Sequence, residues 1–142
     1  MYDYIIMERI WQDTCFFKMR VTCKSKIIYV QSDVYTANEC MDDLYEKLRS
    51  FVNGTMDEVY WLNGDTGDDS TPCISLRFIR KDRLGHILIE VYMELDDGGT
   101  LSKHNCCFFI NTELGLLDQF TKSLVNLKES KLGVKVILNQ LS

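Results

Sequence analysis

The same short arrangement is spelled twice in this chain: apolar residues that alternate, a threonine, then apolar residues at helical spacing. The first copy runs from Lys26 through Thr36 to Phe51, the second from His104 through Thr112 to Leu127. Alternation with a period of two marks a strand with one buried face. Recurrence every three and four residues marks a helix with one buried stripe. A chain that switches period in this way twice, with strand-like sequence between, is held to an α+β architecture. The 142 residues include one proline and eight glycines, too few for a low-complexity linker, so positions 1–142 read as a single α+β domain.

From Cys15 to Cys23 one parity carries Cys15, Phe17, Met19, Val21 and Cys23, and the other Phe16, Lys18, Arg20 and Thr22. This strand and Lys26–Asp33 flank a short polar break and predict a hairpin. Tyr4–Ile10 fits either an edge strand or a short helix. Thr36 followed by Glu39 has the spacing of a capping box. Ala37, Cys40, Met41, Leu44, Leu48, Phe51 and Val52 then form one helical stripe, and Gly54 suits its C-terminal cap.

Val59–Leu62 reads as a short strand, and Cys73–Arg80 with His86–Leu95 as a second hairpin around Gly85. The buried parities are Ile74, Leu76, Phe78 and Ile87, Ile89, Val91, Met93, Leu95. Asn105–Ile110 predicts a further strand, and a second helix from Asn111 or Thr112 carries Leu116, Leu117, Phe120, Leu124 and Leu127. The tail from Gly133 fits a last strand or a helical extension. Turns this short favour antiparallel pairing, so the expectation is a single, largely antiparallel β-sheet of about five to six strands with two α-helices packed on one face. Its open face would gather Arg20, Lys18, Arg77, Glu90, Tyr92 and Glu94.

The net charge is −5, the basic residues are scattered, and the acids cluster at Asp42–Asp43, Asp57–Glu58, Asp65 with Asp68–Asp69, and Asp96–Asp97. Nucleic-acid binding draws on clustered lysine and arginine, so that class is disfavoured and a basic protein partner favoured. No apolar run approaches the roughly 18 residues of a membrane span and no basic leader opens the chain, so a cytoplasmic protein is expected. Cys15, Cys23, Cys40, Cys73, Cys106 and Cys107 show no C-x-x-C spacing and read as reduced, mostly buried thiols.

Neither histidine, His86 or His104, has a neighbour at metal-ligand spacing, and no cysteine pair has zinc-knuckle spacing. The loop Asn63–Asp69 offers oxygen ligands but lacks the register and closing glutamate of a calcium loop, so it reads as a solvated connection. His104 and Cys106 share a strand parity with Phe108 and Ile110, which places that pair toward the core and away from thiolate chemistry. Phosphate-loop, dinucleotide and nucleophile-elbow spellings do not occur. No catalytic, cofactor or metal residues are therefore assigned.

The strand CFFKMRVTC (Cys15–Cys23), the joint SDVYT (Ser32–Thr36) and the helix ANECMDDLYEKLRSF (Ala37–Phe51) come in a suggestive order. WLNG (Trp61–Gly64), SLRFIR with GHILIEVYMEL, and CCFFINTELGLLDQF follow them. In this order the chain resembles the WapI-type family of small immunity proteins, found in bacteria beside polymorphic toxins. The resemblance covers about Cys15 to Leu127 and implies a toxin-neutralising binding protein or a close structural relative. It carries over no functional residues, because the matched positions are scaffold.

The expected function is a non-enzymatic interaction protein that binds a cognate toxin, with a basic toxin domain as the partner. The candidate contacts are Asp65, Asp68, Asp69, Asp96, Asp97, Arg20, Arg77, Glu90, Tyr92 and Glu94. A small enzyme or ligand-binding domain, and a homodimer packed through the open sheet face, are the competing classes.

Overall fold

A computed structural model describes residues 3–65, 71–96, 98, 104–128 and 131–139. The alternating segments form eight strands: β1 (Tyr4–Gln12), β2 (Phe17–Lys24), β3 (Tyr29–Thr36), β4 (Glu58–Asn63), β5 (Ile74–Arg80), β6 (His86–Glu94), β7 (Asn105–Glu113) and β8 (Lys135–Leu138). The helical stripes form α1 (Asn38–Val52) and α2 (Leu114–Ser123), and a 3-10 helix, Leu124–Lys128, extends α2. Tyr4–Ile10 and the tail, both open on sequence, resolve as strands.

The single expected sheet is replaced by two antiparallel four-stranded sheets. Sheet A has the order β3-β2-β1-β8 and sheet B the order β4-β5-β6-β7. The reason is an exchange of strands. Each half of the chain runs through a three-stranded meander, a helix and one more strand, and that last strand joins the sheet of the other half. β4 follows α1 but pairs with β5, Trp61 opposite Leu76. β8 follows α2 but returns to β1, Val136 opposite Met7. Alternation within a strand says which side chains are buried and nothing about which meander a strand joins.

The exchange is reflected in matching contacts at both crossings. Asn63, ending β4, donates from Nδ2 to the Tyr35 carbonyl at 3.0 Å. Asn139, just past β8, donates from Nδ2 to the Asn111 carbonyl at 2.7 Å. These bonds tie the edge of one sheet to the edge of the other. The helix ends match as well. Arg80 on β5 donates to the Phe51 carbonyl at 2.6 Å, and Arg9 on β1 donates to the Leu127 carbonyl at 2.7 Å. A cation at the last carbonyls satisfies acceptors that the helix leaves open and opposes the negative end of its dipole.

Thr36 and Thr112 also occupy equivalent places, opposite Phe17 and Ile87 in their sheets. Neither is a cap. The α1 N-cap is Ala37 and the α2 N-cap is Glu113, both without a side-chain cap bond. Both threonines point inward and are buried. The second helix therefore begins at Leu114, later than its periodicity predicts, because Asn111–Glu113 continue β7. Gly54, with φ of 87°, does sit just past the end of α1 as expected.

One core joins both inner faces and both helices. Ile5, Met7, Val21 and Val34 of sheet A, Trp61, Leu76, Phe78 and Val91 of sheet B, and Leu44, Leu48, Leu117 and Phe120 of the helices belong to it. The Trp61 indole N–H is satisfied by the Cys40 carbonyl at 3.1 Å. The outer faces of the two sheets are left to carry function.

Candidate functional site: two outer sheet faces and an acidic end

The expected open face is divided between the two sheets. On sheet A, Lys135, Glu8, Arg20 and Asp33 stand in one cross-strand row of alternating charge. Arg20 donates from Nε and Nη2 to the two Asp33 oxygens at 2.9 and 3.2 Å. Beside this row, the Lys18 ammonium lies 5.1 Å from the Tyr35 ring centroid, and Trp11 meets that ring edge-on at 6.2 Å.

Arg77, Glu90 and Tyr92 stand on the outer face of sheet B instead. Arg77 donates to Glu58 at 2.8 Å and to Glu90 at 3.3 Å, and its guanidinium lies 4.7 Å from the Tyr60 ring. The Glu58 hydrogen bond is the main reason its pKa is raised above the usual arginine value. Beside this charge triad Tyr60 is 39% exposed, Leu62 38% and Phe109 47%.

Glu94 is a correction: its parity suggests the open face, yet it is 1% exposed. It closes the end of β6. Its Oε1 accepts the Cys73 amide at 3.0 Å and its Oε2 accepts the Tyr92 hydroxyl at 3.0 Å. Its own carbonyl accepts the Ser32 hydroxyl from sheet A at 2.9 Å. A buried carboxylate needs such donors, and both come from sheet B, while the Ser32 bond to the Glu94 carbonyl ties the two sheets together. Burial, then the Glu94 carboxylate, pushes the Cys73 thiol up to about 12. Burial, then the Glu94 hydrogen bond, pushes the Tyr92 hydroxyl up to about 12.

This corner belongs to the end of sheet B where Asn63, Ile74, Met93 and Cys106 lie in register. The connection from β4 to β5 and the connection from β6 to β7 both leave and enter at that end. They contain Asp65, Asp68, Asp69, Asp96 and Asp97 against Lys103 as the one basic side chain. Asp65 and Asp96 are exposed, and Asp65 is close enough to the Cys73 thiol to raise its pKa. Asp68, Asp69 and Asp97 lie outside the described residues.

A cleft of about 440 Å³ adjoins the same end. Lys18, Arg20, Gln31, Ser32, Asp33 and Tyr35 of sheet A line it on one side, and Pro72, Leu95 and Asp96 on the other. Of the sequence candidates, Arg20 and Asp96 are thus brought together, while Arg77, Glu90 and Tyr92 stand on a different face. Tyr35, Asp33 and Pro72 were not singled out on sequence. Their signal is the strand exchange, which sets β3 beside the end of sheet B.

The cysteines and histidines depart from expectation in part. All six cysteines are free. Cys23 and Cys73 are buried, Cys40 and Cys106 half-buried, and Cys15 and Cys107 exposed. His104 precedes β7 and is exposed, so it does not continue the inward parity of Phe108 and Ile110. His86 is also exposed and its Nδ1 lies 2.7 Å from Asp82 Oδ2. Among the described residues, no three histidine, cysteine, aspartate or glutamate side chains are grouped to hold a metal ion. No described helix is long and apolar enough to cross a membrane. No protein-family model, curated protein or solved structure matches the chain.

Proposed function

We propose that the chain is a non-enzymatic interaction protein of the immunity type, and that a basic toxin domain docks on the acidic end of sheet B. The observation that carries this reading is the convergence of two aspartate-bearing connections on one sheet end, beside a cleft that includes Asp96. Asp65 and Asp96, both exposed, stand at that end of a chain of net charge −5 and concentrate negative field there. Such a field raises the encounter rate with a cationic partner and repels acidic competitors. The cleft supplies a rigid floor for the partner's side chains. Tyr35 and Trp11 offer aromatic area, and Arg20–Asp33 is a fixed ion pair. The resemblance of the sequence segments to the WapI-type immunity family supports the same reading.

Co-expression with the product of the adjacent gene, followed by co-purification and a toxicity assay, tests the proposal. The expected outcome is a stable complex and loss of toxicity. The double variant Asp65→Lys/Asp96→Lys, its fold checked by circular dichroism, is expected to lose protection. A failure of either neighbouring product to bind, or full protection by the double variant, would overturn it.

A further inference from the structure

The outer face of sheet B carries the exposed Tyr60, Leu62 and Phe109 around the Glu58–Arg77–Glu90 charges and is uncovered among the described residues. We infer that a second copy of this chain covers it, the two sheets packing face to face about a two-fold axis that runs along the strands between β5 and β6.

The argument rests on register. Arg77 lies opposite Glu90 across the β5–β6 pair, and the same row reaches Tyr60 on β4 and Phe109 on β7. A two-fold axis between β5 and β6 sets each β5 position of one copy over the β6 position of the same row in the other. Arg77 then meets the second copy's Glu90, twice. Tyr60 meets Phe109, twice, and in the neighbouring row Ile79 meets Leu88, twice. No charge meets its like. A self-complementary patch of this kind is what an isologous interface requires.

The central charges become two arginines and four glutamates, each Arg77 keeping Glu58 and Glu90 of its own copy and meeting the second copy's Glu90. That arrangement offsets the desolvation that would penalise a lone buried ion pair. The outer face of sheet A is a weaker candidate for self-association, since its Lys135–Glu8–Arg20–Asp33 row would desolvate four charges in each copy.

Size sets the strength. Four strands about 4.8 Å apart and six residues of about 3.4 Å each give a face of roughly 400 Å². With side-chain relief, two such faces remove on the order of 1,200 Å² from water, the lower bound for a specific interface. The dimer is therefore concentration-dependent.

Two exposed cysteines make the test specific: Cys107 is on this face, 3.9 Å from Glu90 Oε2, and Cys15 lies outside it, between β1 and β2. The purified chain is diluted from about 200 to about 2 µM, with mass by light scattering and alkylation rates by mass spectrometry. The expected result is a doubled mass at the high end and at least about five-fold slower alkylation of Cys107 there, with Cys15 unchanged. Arg77→Glu abolishes both effects, and Arg77→Glu/Glu90→Arg restores them. A monomer throughout the range overturns the inference, and so does a dimer in which Cys107 stays fully reactive. Neither outcome bears on binding at the acidic end, which the Asp65 and Asp96 variants test separately.

Discussion

Replacing Thr36 and Thr112 by valine, one at a time, should change stability in opposite directions although the two residues hold equivalent places. The Thr36 hydroxyl is buried and has no hydrogen-bond partner among the described residues. Leaving such a group unpaired costs ~1–3 kcal/mol, and valine has nearly the same shape and a good strand propensity. Thr36→Val should therefore stabilise by about 1 kcal/mol, the conservative end of that range. Thr112 differs, because its hydroxyl donates to Asn139 Oδ1 at 2.5 Å. Asn139 in turn donates to the Asp3 and Asn111 carbonyls at 3.0 and 2.7 Å. Thr112→Val strands a buried amide oxygen at the crossing of the two sheets and should cost ~1–3 kcal/mol.

Urea unfolding followed by circular dichroism reads the difference. With an m-value of about 2 kcal/mol/M, the midpoints of the two variants should separate by roughly 1–2 M, at unchanged m. A capping role for Thr36, as its sequence context suggests, predicts the reverse, a loss of about 1 kcal/mol on removing the hydroxyl. Destabilisation by Thr36→Val, or a neutral Thr112→Val, would refute the structural equivalence with unequal bonding.

Three further outcomes follow from the same contacts. Arg9→Met should lower stability by about 2 kcal/mol in the urea assay, because a charged hydrogen bond to the Leu127 carbonyl and a ring contact with Phe17 at 4.0 Å are both lost. Arg80→Met, at a less buried arginine, should cost about half as much. Gly64→Ala should cost ~2 kcal/mol or more, since φ is 100° and a Cβ would lie 2.9 Å from Cys73 Cβ. Gly54→Ala, with open space around a φ of 87°, should cost only about 1 kcal/mol.

Alkaline stability gives the last. Cys73 and Tyr92 are neutral when protonated and both titrate higher in the folded chain, near 12. The stability they contribute is intact below the ordinary thiol value of 9.0 and is lost as pH rises through the folded values. The urea midpoint should hold from neutrality to that value and fall above it. Cys73→Ala combined with Tyr92→Phe should make the fall shallower, the buried Cys23 thiol, also pushed up by burial, keeping part of it, and an unchanged slope would contradict the assignment.

Strand and helix periods, and with them the α+β class, were legible in the sequence because burial on one face imposes them directly. Ile74, Leu76, Phe78, Ile87, Ile89, Val91 and Met93 all point inward as their parity requires. The two expected hairpins are present as β2–β3 and β5–β6, but which sheet the strand after each helix joins was not legible. Nothing in Val59–Leu62 distinguishes a strand that continues the first meander from one that joins the second, so two sheets were read as one. Glu94 shows a second limit. Its parity is outward, but at the end of β6 Cys73, at the entry to β5, lies opposite it with its amide within bonding distance. His104 and Cys15 show the same end effect in reverse: beyond the last ladder pair, strand parity no longer predicts burial. The acidic character of the site was plain from composition, whereas its neighbourhood with Arg20, Asp33 and Tyr35 depends on the exchange of β4.

The most direct test of a basic partner docking at the acidic end is the association rate of the adjacent gene's product, measured by stopped flow at low and at physiological salt. For the wild-type chain the rate should be high and fall steeply with salt. Asp65→Lys/Asp96→Lys should lower the low-salt rate by about ten-fold or more and flatten the salt dependence. An association rate that the double variant leaves unchanged at both salts would contradict docking at this end of sheet B.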